Sequence, residues 1–215
     1  ECNLEELFQT YRYFKPLNRL LSGWRSVYLE KIKPHLHHDK PARLLDIGFG
    51  GGDIPVYLAE WAEKDGLKIE IDAIDRDERA LRFVEKYLNP PANITFRSIH
   101  TQDVIKSGKR YDFITSNHLL HHLDKKEIEQ VCRDAMKLCR GSILFNDIAR
   151  SDWAYGLFYL GSRFVPRNSF IHIDGLISIR RSYTQHELDE ILPSGWRVEK
   201  PFPFRLLATW SGQYE

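Results

Sequence analysis

Cysteine is scarce in this chain: Cys2, Cys132 and Cys139 are its only thiols among 215 residues, an odd number with no Cys-x-x-Cys spacing. That argues against a disulfide framework or a thiolate zinc site. It is the pattern of reduced thiols in a cytoplasmic protein, with two of them expected in one helix. A surplus of either charge is missing too. Thirty-one Lys and Arg stand against 30 Asp and Glu, a formal net charge of +1, so no overall field draws the chain to nucleic acid or to an anionic membrane. No apolar run approaches the roughly 18 residues that read as a membrane span, and no basic-then-apolar signal pattern opens the chain. The start at Glu1, without methionine, leaves a removed targeting segment open. A small molecule is the partner these absences favour, and they leave the oligomeric state undecided.

What is present is one sizeable core. With 42% hydrophobic and 28% charged residues, a single domain over 1–215 is expected. Spaced apolar positions from Leu4 to Ile32 predict two amphipathic helices broken near Pro16, an N-terminal cover over 1–40. From Arg43 the pattern alternates: RLLDIG, IEIDAID, ITFRSIH, YDFITSN and GSILFNDI read as strands, and IPVYLAEWAEKD, RDERALRFVEKYL and KKEIEQVCRDAMKLC as helices. Such alternation predicts an α/β, doubly wound, mostly parallel sheet over 41–150. Residues 151–182 are aromatic, basic and irregular and read as an insertion expected to act as a substrate lid. After the helix TQHELDEIL, two strand-like runs flank Pro201 and Pro203 too closely for a parallel crossover, so 183–215 should end in an antiparallel edge hairpin.

The stretch LLDIGFGGGD places glycines at 48, 50, 51 and 52 behind the first strand, where an open parallel sheet binds ligands. A dinucleotide fingerprint would need a third glycine at position 53, and Asp53 puts a carboxylate where pyrophosphate approaches the helix. The spacing present is Asp46, Gly48, Gly50, Gly52. Over roughly residues 40 to 150 the chain resembles the class I S-adenosylmethionine-dependent methyltransferases, in which this motif surrounds the cofactor's amino acid and ribose. The resemblance implies S-adenosyl-L-methionine as cofactor and a seven-stranded sheet. It implies Asp75 for the ribose hydroxyls, Arg76 beside the adenine, Asp103 and the Val104 N–H for the adenine amine, and Asn117 beside the methionine moiety. A plain reading remains beside it: Asp75 and Asp77 both precede ERAL and could cap the helix there.

The acceptor is less defined. Enzymes of this class that methylate base amines carry a Pro-Pro motif after the fourth strand, and SNHLLHH lacks it; the NPPA at 89–92 instead stops a helix, with Asn89 expected in a left-handed C-cap. An RNA or protein methyltransferase, or a noncatalytic cofactor-binding module, is the alternative to a small-molecule enzyme. The aromatics and cations of 151–182, with Arg150, Tyr155, Tyr159, Arg163 and Arg180 as candidate contacts together with His118, suit a largely apolar phenol, enol, quinol or polyketide-like acceptor. The resemblance to quinone- and polyketide-tailoring members points the same way. His118, His121 and His122 would share one face if a helix began near 118. His121 is the candidate base, supported by His122 and Asp147, because histidine exchanges protons near neutrality. HLHHD at 35–39 reads as a solvated turn, and no metal is expected.

Overall fold

A computed structural model of the chain describes residues 4–161 and 171–212. Seven strands form one sheet in the order β3-β2-β1-β4-β5-β7-β6. They are β1 (Ala42–Ile47), β2 (Ile69–Asp75), β3 (Ile94–Ser98), β4 (Tyr111–Asn117), β5 (Cys139–Ile148), β6 (Arg197–Glu199) and β7 (Arg205–Ser211). β1 to β5 pair in parallel, while β7 lies antiparallel to both β5 and β6. The expected edge hairpin is therefore present. Strand order reverses between β1 and β4, which opens a crevice at their carboxyl ends.

Central strands read as near-continuous apolar runs because both sheet faces are covered. Leu44, Ile71 and Phe113 bury against α3 (Asp53–Lys64), α4 (Glu78–Tyr87) and the N-terminal helices. Leu45, Ile74 and Ile114 bury on the opposite face against α6 (Lys125–Leu138) and α9 (Gln185–Ile191). Single residues shift face along each strand as the pleat requires. Capping boxes start α6 at Asp124 with Glu127 and α9 at Thr184 with Glu187.

Several local expectations fail for identifiable reasons. α1 (Leu4–Leu21) runs through Pro16, and the break falls at Gly23, whose φ of 74° suits glycine, before the short α2 (Trp24–Val27). Proline forfeits one backbone bond at an exposed turn, while tertiary anchors hold the rest: Phe8 and Tyr11 pack on Phe83, and the Tyr57 hydroxyl donates to the Lys15 carbonyl at 3.0 Å. α4 ends in extended backbone at Leu88, and Asn89 adopts no positive φ; the prolines alone stop the helix. Cys139 opens β5 instead of closing α6, and burial pushes both Cys132 and Cys139 thiols up to about 12, leaving them unreactive. The described part of 151–182 is helical: α7 (Asp152–Gly161) and α8 (Ile171–Arg181) pack together. No described helix is long and apolar enough to cross a membrane. Among the described residues no cluster of His, Cys, Asp or Glu could hold a metal ion.

Candidate active site

A cavity of about 1060 Å³ opens beyond the carboxyl ends of β1, β2 and β4, roofed by Leu7, Tyr11 and Asn18 of α1. The glycine loop forms its floor. Gly48 takes φ +78° as its N–H donates to the Ile74 carbonyl at 2.8 Å, and the Gly50 N–H donates to Asp75 Oδ2 at 2.9 Å. Gly48, Gly50 and Gly51 line the cavity, whereas Gly52, expected beside the cofactor, does not. A Cβ at Gly52 would stand 2.9 Å from Leu88 and 3.1 Å from Val84, at φ +73°. Close helix packing demands that glycine.

Carboxylates dominate the electrostatics of this end. Asp46 is fully enclosed beneath the Thr115 hydroxyl, which donates to it at 2.7 Å; burial, then neighbouring Asp53 and Asp75, outweigh that bond and push its carboxyl up to about 7. Asp53 receives the Asn18 amide at 2.8 Å, and burial raises it as well. Asp75, raised chiefly by burial, also accepts the Asp77 N–H at 2.9 Å. The helix cap is Asp77, whose side chain accepts from the Arg79 N–H. Lining cations are already paired: Arg79 with Asp77 at 2.6 Å, and Arg76 with Glu127 at 3.6 Å. Buried carboxylates with so little positive charge beside them favour a cationic ligand.

Asp103 and Val104 do not line the cavity. α5 (Thr101–Lys106) starts just before them, so Asp103 turns back to close a capping box with the His100 N–H and to pair with Lys106 at 3.3 Å, while Val104 packs into the core. The wall there consists of His100, Thr101 and Gln102. Thr101 Oγ1 and Gln102 Nε2 each donate to Asp134 Oδ2 at 3.1 Å. Asp134, buried on α6, has no sequence signal marking it, since an acid amid KKEIEQVCRDAMKL reads as a solvated helix face.

The histidines meet at the far end, by a different route from the one expected. No α-helix begins at 118: His118 sits at φ 58°, and only a 3₁₀ turn, Leu120–His122, follows. The rings still converge, with centroids 6.0 Å apart for His118 and His121 and 4.1 Å for His121 and His122. All three line the cavity. His121 Nδ1 lies 2.6 Å from Asp147 Oδ1, and Asp147 also accepts the His121 N–H at 3.1 Å and the Ile148 N–H at 2.7 Å. Burial alone would raise Asp147; the His121 ring, His118 and the Ile148 N–H together hold it well below the usual carboxylate range. An ionised Asp147 fixes the His121 proton on Nδ1 and leaves Nε2 with a lone pair. Burial in the wall, then the neighbouring His121, push His122 down to about 4, although its exposed edge tempers that shift energetically.

Asn117 also lines the cavity, and its Oδ1 accepts from Trp24 Nε1 at 3.0 Å and from Arg205 Nη2 at 3.1 Å. Neither Trp24 nor Arg205 carries a local signal; both are supplied by remote segments. The expected acceptor contacts on the insertion are not brought in. Arg150 pairs with Glu187, Arg180 stacks over the Tyr155 ring at 4.6 Å, and Tyr159 is 41% exposed. None of these four lines the cavity, where α8 contributes Ser178. Arg163 lies outside the described residues.

Residues 44–141 match the family model of a methyltransferase domain. Together with the seven-stranded sheet, this supports the expected resemblance to the class I S-adenosylmethionine-dependent methyltransferases. A ubiquinone biosynthesis O-methyltransferase from Brucella melitensis is 23% identical over 167 residues, covering 72% of this chain and 63% of the relative. The chain thus spans less than two thirds of that relative's length. Human N-acetylserotonin methyltransferase, solved with S-adenosylmethionine, superposes with a TM-score of 0.67 at 13% identity, over 98% of this chain and 56% of that one. The plantazolicin methyltransferase BpumL, solved with S-adenosylhomocysteine and a desmethylplantazolicin analogue, gives 0.65 at 18% identity, over 97% and 90%. At such identities the likeness is one of fold.

Proposed function

We propose that the chain moves a methyl group from S-adenosyl-L-methionine to an oxygen of a small, largely apolar acceptor of the phenol, enol, quinol or polyketide type. The observation that carries this reading is the His121–Asp147 pair, buried at the histidine end of the same cavity whose other end is acidic. The residues present fit the cofactor. Asp46, Asp53 and Asp75 complement a ligand bearing an ammonium and a sulfonium, and the bare backbone of Gly48 to Gly51 admits it closely. When bound, the cofactor supplies an electrophilic methyl on a sulfonium that is its own leaving group.

The chain's contribution is alignment and a place for one proton. Asp147 holds the His121 ring so that Nε2 takes the acceptor's hydroxyl proton as the oxygen–carbon bond forms and the sulfur–carbon bond breaks. S-Adenosylhomocysteine and the methyl ether are the products, and the proton leaves on His121. Positioning the two reactants alone is worth on the order of 7 to 11 kcal/mol, so the base need add only a modest share. From α8, Ser178 reaches the cavity on the histidine side.

Methyl-labelled S-adenosylmethionine offered with a panel of phenols, hydroxyquinones, pyrones and RNA tests the reading. At least one labelled small-molecule ether is expected. Label in RNA alone, or in no acceptor while the cofactor binds, would replace it with one of the alternatives.

A further inference from the structure

Arg205 opens β7 on the antiparallel side of the sheet and is buried; among the described residues no carboxylate pairs with it directly, and Asp147 acts on it only through its charge. Neutral acceptors hold it on every side: Nε donates to Asn146 Oδ1 at 3.1 Å, Nη2 to Asn117 Oδ1 at 3.1 Å, and Nη1 lies 2.7 Å from His118 Nε2. Asn146 is itself pinned, donating Nδ2 to the Ser22 carbonyl at 2.6 Å, and Asn117 is pinned by Trp24. The guanidinium cannot swing away without breaking this net.

A guanidinium has donors only, so His118 Nε2 must accept, the ring must be neutral, and its one proton must sit on Nδ1. That Nδ1 has no hydrogen-bond partner among the described residues, and the ring lines the cavity beside His121. The His118 backbone occupies the left-handed region at φ 58°, tied by its N–H to the Asn146 carbonyl at 2.9 Å. A non-glycine residue keeps such a conformation where its surroundings over-determine it, a condition concentrated at functional sites.

We propose that Arg205 is a positioning residue that locks His118 as a neutral Nδ1–H donor, and that His118 thereby selects acceptors carrying a second oxygen beside the one methylated. The selection half rests on the reading that His121 takes the acceptor's proton. With the two rings 6.0 Å apart, one faces the attacking hydroxyl as a base and the other offers a proton to a neighbouring oxygen lone pair. Burial first, then Arg205, with His121 and His122 on the same side, hold His118 well below the usual histidine range against the pull of Asp147.

The test uses the full chain labelled with ¹⁵N-histidine, the His118 signals being identified by their loss in His118→Asn. The Nδ1–H tautomer is expected throughout pH 5 to 8 in the unsubstituted protein, and Arg205→Met should free Nε2 so that the Nε2–H tautomer appears. In the unsubstituted protein an Nε2–H tautomer, or protonation near pH 6.5, overturns the positioning role whether or not any acceptor is methylated. The second arm compares kcat/KM for a ring with two adjacent oxygens against the same ring with one. His118→Gly and His118→Asn both tolerate the left-handed backbone, and Asn restores a donor. A preference of roughly tenfold or more should vanish in the first and persist in the second. An unchanged preference in His118→Gly overturns the selection. Failure of every acceptor contradicts the proposed function, while the tautomer still decides the role of Arg205.

Discussion

Replacing Asp147 with asparagine removes one negative charge and almost no volume. The carboxylate accepts three N–H groups: His121 Nδ1 at 2.6 Å and Ile148 N at 2.7 Å on Oδ1, and His121 N at 3.1 Å on Oδ2. An amide has one oxygen to offer. With that oxygen toward the imidazole, the NH₂ opposes the His121 backbone N–H; turned the other way, it forces the His121 proton onto Nε2 and abolishes the base. Leaving a buried donor unmatched costs about 1 to 3 kcal/mol, or roughly 2 to 12 °C in Tm for a chain of this size. Loss of the base costs roughly 10²- to 10⁴-fold in turnover. Asp147 itself does not line the cavity, so S-adenosylhomocysteine affinity, read by calorimetry, should stay nearly constant. Single-turnover transfer of labelled methyl measures the step directly. A rate within twofold of the unsubstituted protein, with the fold intact, would refute general-base catalysis and leave alignment alone.

Asp75→Asn should weaken S-adenosylhomocysteine binding at least tenfold, since a charge-assisted bond is worth roughly 1.5 to 3 kcal/mol; unchanged affinity in a less stable protein would reduce Asp75 to a tether for the Gly50 and Asp77 N–H groups. Gly52→Ala combines left-handed strain with a 2.9 Å contact to Leu88 and should cost about 2 to 4 kcal/mol in denaturant melts, whereas Gly66→Ala, whose nearest neighbour stands 3.7 Å away, should cost only about 1 to 2. Asp46, at about 7, should release its proton when a cationic ligand arrives. Binding heats near neutral pH should then vary with the buffer's ionisation enthalpy, and affinity should rise with pH through that range. The unfolded chain protonates His118 near pH 6.5 and the folded one does not, so stability should fall as pH drops below that value and fall less in His118→Asn.

The sheet was legible because its strands are buried on both faces and its helices are amphipathic, so IEIDAID and ERALRFVEKY each announce their element by periodicity alone. Strand-end acids were harder. Asp75 closes β2 against the glycine loop, but Asp103 lies inside α5, and the cavity wall falls to Thr101 and Gln102. A capping box can be read as spacing, yet which residue begins the helix depends on tertiary fit. Asn18, Trp24, Asp134 and Arg205 escaped notice for another reason. Each serves the site from an element distant in sequence, and their partners, Asp53, Asn117, Thr101 and His118, lie from 33 to 93 residues away. An arginine in PFRLLATW reads as an edge-strand charge until β5 and β7 pair and bury it.

Calorimetric titration of the chain with S-adenosylhomocysteine, and separately with NADH, tests the central claim most directly, because both ligands address the glycine loop of such a sheet and only one fits the carboxylates at Asp46, Asp53 and Asp75. One equivalent of S-adenosylhomocysteine should bind and NADH should give no heat of binding. Saturable binding of NADH with none of the homocysteine compound would contradict the account.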